Sequence, residues 1–391
     1  MKALVLKAYN RLSYEDVAEP EMVAGDVLVA VKACGICGSD VHGMDGSTGR
    51  RRPPIIMGHE AAGVVAGFGP EVKGWKAGDR VTFDSTIYCG KCEFCRQGQI
   101  NLCDRRRVLG VSCEEYRQDG AMAEYIVVPE RILHRLPENL AFEQAALIEP
   151  FSIALHAVTR ACGNGVAGEA FGVRQSSGAF DSRVDVQKRQ RTGAVQDASA
   201  STLDPRPDPT VSPIPEAIVI GAGMIGLALV QVLKAVGCER LMVVDIAEEK
   251  LELAKKLGAG DVINPAANDA LAKVLELTGR RGAGVSFEAV GAPATVDLAI
   301  RSVRKGGSVV LVGNIAPKVG FPLQVAVTRE LTVYGSCASR GDYPACINMM
   351  ASGALRPDAL ISAVAPMAEG ASWFERLYQK ERGLLKVVLT P

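Results

Sequence analysis

The sequence lacks a long uninterrupted apolar segment and carries no net charge. Its most apolar run, AIVIGAGMIGLALVQVL at 217–233, falls short of a membrane-spanning helix and contains glycines. Lys plus Arg and Asp plus Glu both number 44, so no global field attracts nucleic acid or an anionic membrane. The opening MKALVLKAYN has too short an apolar core for a signal peptide. We therefore expect a soluble cytoplasmic protein that binds neither nucleic acid nor membrane.

Aromatic residues (5%) and histidines (four) are scarce, whereas there are eleven cysteines. In a reducing compartment, clustered thiols more often hold metal than form disulfides. The chain has 391 residues and an ordinary proportion of hydrophobic residues, 48%, which is enough for two globular domains. The sequence therefore favours a two-domain protein with metal-binding cysteines.

Two different patterns of hydrophobic residues divide the chain. The first part contains short β-branched runs such as DVLVAVKA and AEYIVV, separated by Gly, Pro and Asp, and this pattern predicts strands. From about Ala217 the pattern becomes strand then helix, repeated, which predicts a parallel sheet covered on both faces. The C-terminal LLKVVLTP is again a lone strand, which we expect to pair with the β-rich part.

The segment 163–215 fits neither pattern. Its apolar residues are sparse, charges of both signs are mixed, and it ends in a proline-rich run, so it buries too little surface to offset ordering entropy. We predict a disordered or loop insertion on the surface. A contact with a partner or a second copy, and a sequence-level accident such as a local frameshift, are the alternatives.

Four closely spaced cysteines carry the strongest local signal. They follow the spacing C-x2-C-x2-C-x7-C and can surround one tetrahedral Zn²⁺ without an open position, which is typical of a structural site. An iron–sulfur cluster is disfavoured because its fourth cysteine would follow after three residues and precede a proline. The neighbouring run 105–107 of arginines has no His pair beside it, which argues against a nucleic-acid finger. The predicted ligands of a structural zinc are Cys89, Cys92, Cys95 and Cys103.

A glycine motif, GAGMIG, follows the strand AIVI and opens a helix. Asp245 closes the next strand, nineteen residues after the last glycine. This context is typical of dinucleotide binding, with the pyrophosphate at the helix N-terminus and the carboxylate on the ribose. Asp245 would repel the extra phosphate of NADP, so we predict NAD. The predicted cofactor-binding residues are Gly221, Gly223, Met224, Ile225, Gly226 and Asp245.

A third signal is dispersed along the chain. The stretch CGICGSDVH precedes GHE, and LIEP comes later. A catalytic zinc needs about three protein ligands and an open position, and one thiolate, one imidazole and one carboxylate supply that set. Spacing alone leaves three interpretations of Cys34 and Cys37 open: a redox pair, half of a metal site, or one ligand beside an unrelated cysteine.

Together, GICGSDVH, GHE, the four-cysteine segment, IEPFSIALHAV and GAGMIG resemble the zinc-containing medium-chain dehydrogenase/reductase family. Within it the sequence is most similar to the polyol branch typified by sorbitol (L-iditol) dehydrogenase. The resemblance covers roughly 1–162 and 216–391, with the motifs in the family's order. It implies an α/β two-domain fold, with a GroES-like β-rich catalytic domain (1–156 and 338–391) and a Rossmann NAD-binding domain (157–337).

The resemblance also implies roles for individual residues. For the catalytic zinc it implies the ligands Cys37, His59 and Glu60, with Glu149 nearby as a second carboxylate. Ser39 would take the substrate proton and His42 would pass it on. Arg329 would lie near the substrate. Cys34 matches no functional position.

The implied activity is oxidation of a secondary alcohol, such as sorbitol, L-iditol or xylitol, to a ketone, with hydride transfer to NAD. The alternatives are a 2,3-butanediol or threonine dehydrogenase and, in another class, a catalytically silent protein that binds NAD and zinc. The resemblance further implies a small-molecule alcohol as partner and a homodimer or homotetramer joined through the nucleotide domains.

Overall fold

The computed structural model describes residues 1–113, 116–162 and 214–391. Short strands dominate the first part of the chain, as the β-branched runs predicted. These strands are β1 (Lys2–Ala8), β2 (Arg11–Asp16), β3 (Asp26–Gly35), β4 (Ile55–Ile56), β5 (Glu60–Phe68), β6 (Arg80–Phe83), β7 (Thr86–Ile87), β8 (Arg107–Val108), β9 (Tyr125–Pro129) and β10 (Leu133–Arg135). Helices among and after them are α1 (Gly38–Gly43), α2 (Glu93–Arg96), α3 (Phe142–Ala145) and α4 (Ile148–Cys162).

Strands and helices alternate after residue 215, as predicted. The strands are β11 (Glu216–Ile220), β12 (Arg240–Val244), β13 (Asp261–Ile263), β14 (Ala283–Glu288), β15 (Val303–Leu311), β16 (Thr332–Gly335), β17 (Ile361–Pro366) and β18 (Lys386–Thr390). The helices are α5 (Met224–Ala235), α6 (Glu248–Lys256), α7 (Ala270–Leu277), α8 (Pro293–Arg301), α9 (Leu323–Thr328), α10 (Tyr343–Ala351) and α11 (Gly370–Tyr378).

The β-rich part contains a mixed sheet of order β10-β6-β5-β3-β18-β17, with β9 also on β3, and two smaller sheets, β2-β1-β4 and β7-β8. In β3 the residues Val27, Val29 and Val31 alternate onto the buried face, as expected for a strand with one face against a core. The last strand, β18, pairs with β3 and so confirms that the C-terminal run returns to the β-rich part.

The second sheet has the order β13-β12-β11-β14-β15-β16, and all its neighbouring strands are parallel. This order equals 3-2-1-4-5-6 within the sheet, the doubly wound arrangement that binds dinucleotides where the strand order reverses. The reversal lies between β11 and β14, so the glycine motif after β11 is at the expected place. The predicted Rossmann sheet is confirmed.

The helix α4 links the two parts. The predicted domain boundary between residues 156 and 157 falls inside this helix, which continues across it. Of the predicted insertion, 163–213 lies outside the described residues, whereas Ile214 is 8% exposed and belongs to the apolar core. Across 1–113, 116–162 and 214–391, the structure contains no helix long and apolar enough to cross a membrane.

Candidate active site

Three residues of the predicted catalytic zinc site come together at the end of β3. Cys37 caps the N-terminus of α1, while His59 and Glu60 stand where β5 begins. One ligand atom from each lies within 4.8 Å of the others. The pairing of β3 with β5 creates this arrangement, because it sets Gly35 opposite Glu60, and a Cβ on Gly35 would collide with the Glu60 carboxylate. A thiolate, an imidazole and a carboxylate form a donor set that fits Zn²⁺.

A buried carboxylate orients the imidazole of this set. Oδ2 of Asp40 lies 3.5 Å from Nδ1 of His59, and Asp40 is fully buried. Burial alone would raise the pKa of Asp40, but the charges of His59 and Arg51 outweigh it and lower that pKa. Neither Oδ2 of Asp40 nor Nδ1 of His59 has a hydrogen-bond partner among the described residues, so they face each other as a close polar pair. A carboxylate in this place behind a metal-binding histidine usually fixes the orientation of the ring.

The Glu60 carboxylate has a buried cationic partner. Nζ of Lys386, on β18, lies 2.6 Å from Oε2 of Glu60 and also donates to the carbonyl of Ile36 at 2.9 Å. Burial favours the neutral amine, yet the Glu60 carboxylate raises the pKa of Lys386 overall. The pair holds the carboxylate of Glu60 in place through Oε2.

The predicted second carboxylate, Glu149, is buried near the start of α4. Its Oε1 accepts a hydrogen bond from Oγ of Ser85 at 3.1 Å, while its Oε2 has no hydrogen-bond partner among the described residues. Burial raises the pKa of Glu149 to about 7. The charge of His59 lowers this pKa, whereas the charge of Glu60 raises it further. An orphaned carboxylate oxygen beside a ligand set fits a metal ion or a water bound to one.

The predicted proton-relay residues lie on one face of α1. Oγ of Ser39 donates to Sγ of Cys37 at 3.3 Å and accepts from the guanidinium of Arg51 at 3.3 Å. His42 lies three residues further along the helix, on the same face, and is exposed. The two side chains thus lead from the ligand cluster towards solvent.

The four predicted structural ligands also cluster, with their sulfur atoms within 4.8 Å of one another. Backbone N–H groups of Lys91 and Cys92 donate to Sγ of Cys89, each at 3.3 Å, and lower its pKa to about 6. Burial instead raises the pKa of Cys95 to about 12. Four thiolates this close repel one another unless a cation lies between them, so the cluster fits a tetrahedral Zn²⁺.

The glycine motif forms a tight turn at the carboxyl end of β11. Gly221 has φ of +96°, and a Cβ on Gly226 would overlap the carbonyl oxygen of Gly221. Among the described residues, no atom outside the two chain neighbours of Gly223 lies within 4 Å of the place where its Cβ would stand, so the backbone at the start of α5 is open to a ligand. Asp245 accepts hydrogen bonds from the N–H groups of Ala222, at 2.6 Å, and Ala247, at 2.9 Å. This cradle fits the pyrophosphate and ribose of a dinucleotide.

Of the other two predicted positions in this motif, Met224 and Ile225 form the first turn of α5 and are half-buried. Both pack against the apolar core rather than projecting freely into solvent.

Arg329 lies elsewhere. Its Nη1 donates to the carbonyls of Arg301, at 2.9 Å, and Val303, at 3.1 Å. Val303 begins β15, so Arg329 stands at the amino edge of the parallel sheet, whereas the glycine motif is at the carboxyl edge. The structure does not bring Arg329 to the ligand cluster.

Sequence reasoning missed several residues of the site. Lys386 offered a signal, because a lysine inside the apolar run LLKVVLT needs a partner when the strand is buried. Asp40 stands inside CGICGSDVH, but nothing in that stretch indicates which side chain it would face. Arg51 and Ser85 offered no signal, because both act through contacts that only the fold creates.

Comparison with known proteins agrees with this geometry. The family described as "Alcohol dehydrogenase GroES-like domain" matches residues 23–138, and the family "Zinc-binding dehydrogenase" matches residues 225–352. The chain is 32% identical to sorbitol dehydrogenase of Bacillus subtilis, over 100% of the chain and 97% of that relative. It is 31% identical to D-xylulose reductase A of Aspergillus oryzae, over 96% and 93%.

Among solved structures, alcohol dehydrogenase TADH from Thermus sp. ATN1 superposes with a TM-score of 0.82 at 30% identity, covering 100% of this chain and 99% of that one. Both family matches, the relatives aligned over nearly their full length and the two metal-ligand clusters indicate the same family. The chain belongs to the zinc-containing medium-chain dehydrogenase/reductase family, in its polyol dehydrogenase branch.

Proposed function

We propose that the protein oxidises a secondary alcohol of a polyol, such as sorbitol, L-iditol or xylitol, to a ketone and transfers the hydride to NAD. The observation that carries this proposal is the convergence of Cys37, His59 and Glu60 within 4.8 Å, directly beside Ser39. The names of the relatives, a sorbitol dehydrogenase and a D-xylulose reductase, support a polyol as the substrate.

The residues of the chain position the reactants. Cys37, His59 and Glu60 would hold a zinc ion that supplies a Lewis acid for the alcohol, and the glycine turn would hold NAD as the hydride acceptor. Asp40 keeps the ring of His59 in place, and Lys386 keeps the carboxylate of Glu60 from turning away. Oε2 of Glu149, which is buried and has no hydrogen-bond partner among the described residues, is the further oxygen that we assign to the metal or to its water.

The proton of the alcohol leaves through α1. Oγ of Ser39 accepts this proton while its own hydroxyl proton turns away from Sγ of Cys37 and passes to the imidazole of His42, one helical turn later. Because His42 is exposed, it exchanges the proton with solvent while His59 and Glu60 stay buried.

Asp245 supports NAD rather than NADP. Its carboxylate accepts the N–H of Ala222 in the glycine turn and that of Ala247 just after β12, so a negative charge remains fixed at the end of β12. A phosphate on the ribose would meet that charge at close range.

We also propose a cytoplasmic homodimer or homotetramer that associates through the nucleotide domain, with domain limits at 1–156 and 338–391 and at 157–337. The edge strand β16 supports this assembly, because Val333 on it is 37% exposed and Leu323 and Val327 on neighbouring α9 are each 65% exposed. An apolar surface beside an open sheet edge is typical of an interface.

The test is NADH formation by the zinc-replete protein with sorbitol, xylitol, 2,3-butanediol and threonine in parallel. Turnover of a sugar alcohol supports the proposal, and turnover of only 2,3-butanediol or threonine replaces it with that alternative. Ser39→Ala is the matched control, since it should retain zinc and NAD binding but lose turnover. Binding of NAD and zinc without any turnover would contradict the proposal.

A further inference from the structure

Arg51 is the largest fully buried side chain of the described residues, and it is neither a proposed metal ligand nor a proposed member of the proton relay. It lies in the connection between α1 and β4 and is 1% exposed. Its Nη2 donates to Oδ1 of Asp40 at 2.6 Å and to Oγ of Ser39 at 3.3 Å. One nitrogen thus contacts both the carboxylate that faces the imidazole ligand and the hydroxyl of the proton relay.

The surrounding chain is shaped to hold this arginine. A Cβ on Gly43, the last residue of α1, would lie 2.6 Å from Cγ of Arg51, so only glycine leaves room for the stem. Ser112 fixes both neighbours of Arg51: its N–H donates to the carbonyl of Arg50 at 3.1 Å, and its hydroxyl donates to the carbonyl of Arg52 at 3.0 Å and accepts the N–H of Arg52. Arg51 is therefore directed inwards by its backbone.

A charged group this deeply buried is costly unless its partners are fixed. Asp40 meets Arg51 through Oδ1 and His59 through Oδ2, so the orientation of its carboxylate depends on both cations. Without Arg51, the Asp40 carboxylate would be free to rotate, and the ring of His59 would lose its fixed neighbour.

The contact with Ser39 limits what that hydroxyl can do. A serine oxygen has one proton to donate and two lone pairs to accept with. Arg51 occupies one lone pair and the proton points to Sγ of Cys37, so a single lone pair remains for the proton of an alcohol.

We infer that Arg51 is a positioning residue that couples the imidazole ligand to the proton relay, by holding Asp40 against His59 and Ser39 in the orientation that accepts the substrate proton. This inference rests on the proposed function. It assigns the arginine at this place a role in both metal retention and turnover.

The test compares Arg51→Met, which keeps the length of the stem but removes the charge, with Arg50→Met, the exposed neighbour. For each variant we would measure the rate of zinc release to a chelator, with release of the four-cysteine zinc as the internal standard. The visible spectrum after cobalt substitution and the values of kcat and KM complete the comparison. We expect Arg51→Met to release catalytic zinc roughly 10- to 100-fold faster and to lower kcat more than it raises KM, as loss of a group behind a metal ligand does. Arg50→Met should match the unmodified protein.

Two further variants separate the roles and cover the case that Arg51→Met does not fold. Asp40→Asn removes the carboxylate charge, and Asp40→Asn with Arg51→Met removes both charges, so no buried ion is left unpaired. A lower kcat in the double variant than in Asp40→Asn alone supports the contact with Ser39. Equal kcat in both would overturn that part of the inference.

The inference as a whole fails if Arg51→Met loses only thermal stability while zinc release, the cobalt spectrum and kcat equal those of Arg50→Met. Arg51 would then only fill space. If the unmodified protein oxidises no polyol, the proposed function fails separately, because zinc release and the cobalt spectrum still test the contact between Arg51, Asp40 and the imidazole.

Discussion

Nζ of Lys386 lies 2.6 Å from Oε2 of Glu60, and each side chain is only 1% exposed. A cation from the last strand therefore neutralises a carboxylate of the metal cluster. Because the pair is buried, neither charge is compensated by water, and each depends on the other.

Replacement of Lys386 by Met should destabilise the protein by about 3–5 kcal/mol, since it leaves Glu60 buried without a cation. The measurement is urea unfolding of the protein without its catalytic zinc, because a bound Zn²⁺ would itself be a cation beside Glu60. Lys7→Met is the matched control, because it breaks the 2.6 Å pair with Glu15 at the surface and should change stability little. Comparable losses in both variants would contradict the burial argument.

The two cysteines of CGICGSDVH should respond differently to replacement. Burial raises the pKa of the Cys34 thiol well above its usual value, and Cys34 belongs to neither cluster of metal-ligand atoms. We expect Cys34→Ala to keep two zinc ions per chain and most activity, with a stability loss of about 1 kcal/mol for the lost sulfur contacts. Cys37→Ala should lose the catalytic zinc and turnover. Metal analysis and NADH formation decide, and equal losses would restore the redox-pair interpretation.

Loss of the four-cysteine zinc should loosen a contact between distant parts of the chain. Asn101, next to the cluster, donates to the carbonyl of Cys337 at 2.9 Å, and Nε of Arg340 donates to the carbonyl of Gly98 at 3.1 Å. We expect Cys92→Ser to halve the zinc content and to make residues near 98–103 and 337–340 accessible to protease together. Cleavage confined to 89–103 would show that the cluster acts only locally.

Stability should depend on pH through Asp84. Burial raises the pKa of this carboxyl to about 7 from an ordinary 3.8. Between these values the folded protein keeps a proton that the unfolded chain releases, so stability falls as pH rises through this window. Asp84→Asn should remove roughly 3–5 kcal/mol of this loss of stability, because one pKa unit corresponds to about 1.4 kcal/mol. Unfolding measured across this pH range provides the test.

The Asp84→Asn variant should still lose some stability as pH rises, because burial raises the pKa of Glu149 to about 7 as well. An unchanged slope would mean that Asp84 is ionised in the folded protein.

Replacement of two glycines in the nucleotide-binding turn should distinguish an effect on folding from an effect on NADH binding. Gly226→Ala should lower both stability and NADH affinity, because its Cβ would overlap the carbonyl of Gly221. Gly223→Ala meets no atom within 4 Å and should fold normally, yet its methyl group would occupy the space of the pyrophosphate. Thermal unfolding and NADH fluorescence titration distinguish the two effects, and normal binding by Gly223→Ala would argue against the proposed pyrophosphate position.

The sequence predicted best those features whose residues are neighbours along the chain. The four-cysteine ligands span fifteen positions, and the glycine motif directly follows its strand, so local spacing already contains their geometry. Cys37 and His59 were predicted only through resemblance, because their meeting depends on how β3 pairs with β5.

Contacts between distant segments were not predictable from the sequence. Ser85 meets Glu149 across 64 positions, and neither residue has neighbours that indicate the other. Arg329 illustrates the converse, because an arginine that was expected near the substrate binds backbone carbonyls at the opposite edge of the sheet. Residue type indicates what a side chain can bind, whereas the pairing of strands decides what it meets.

The contact between Glu60 and Lys386 joins residues 326 positions apart. At a synthesis rate of about 5–20 residues per second, Lys386 leaves the ribosome roughly 15–65 s after Glu60. Throughout that interval Glu60 has no cation and the end of β3 has no β18 beside it. A nascent chain therefore displays an unfinished sheet edge next to its first metal ligands, and a chaperone has time to bind there before the active centre closes.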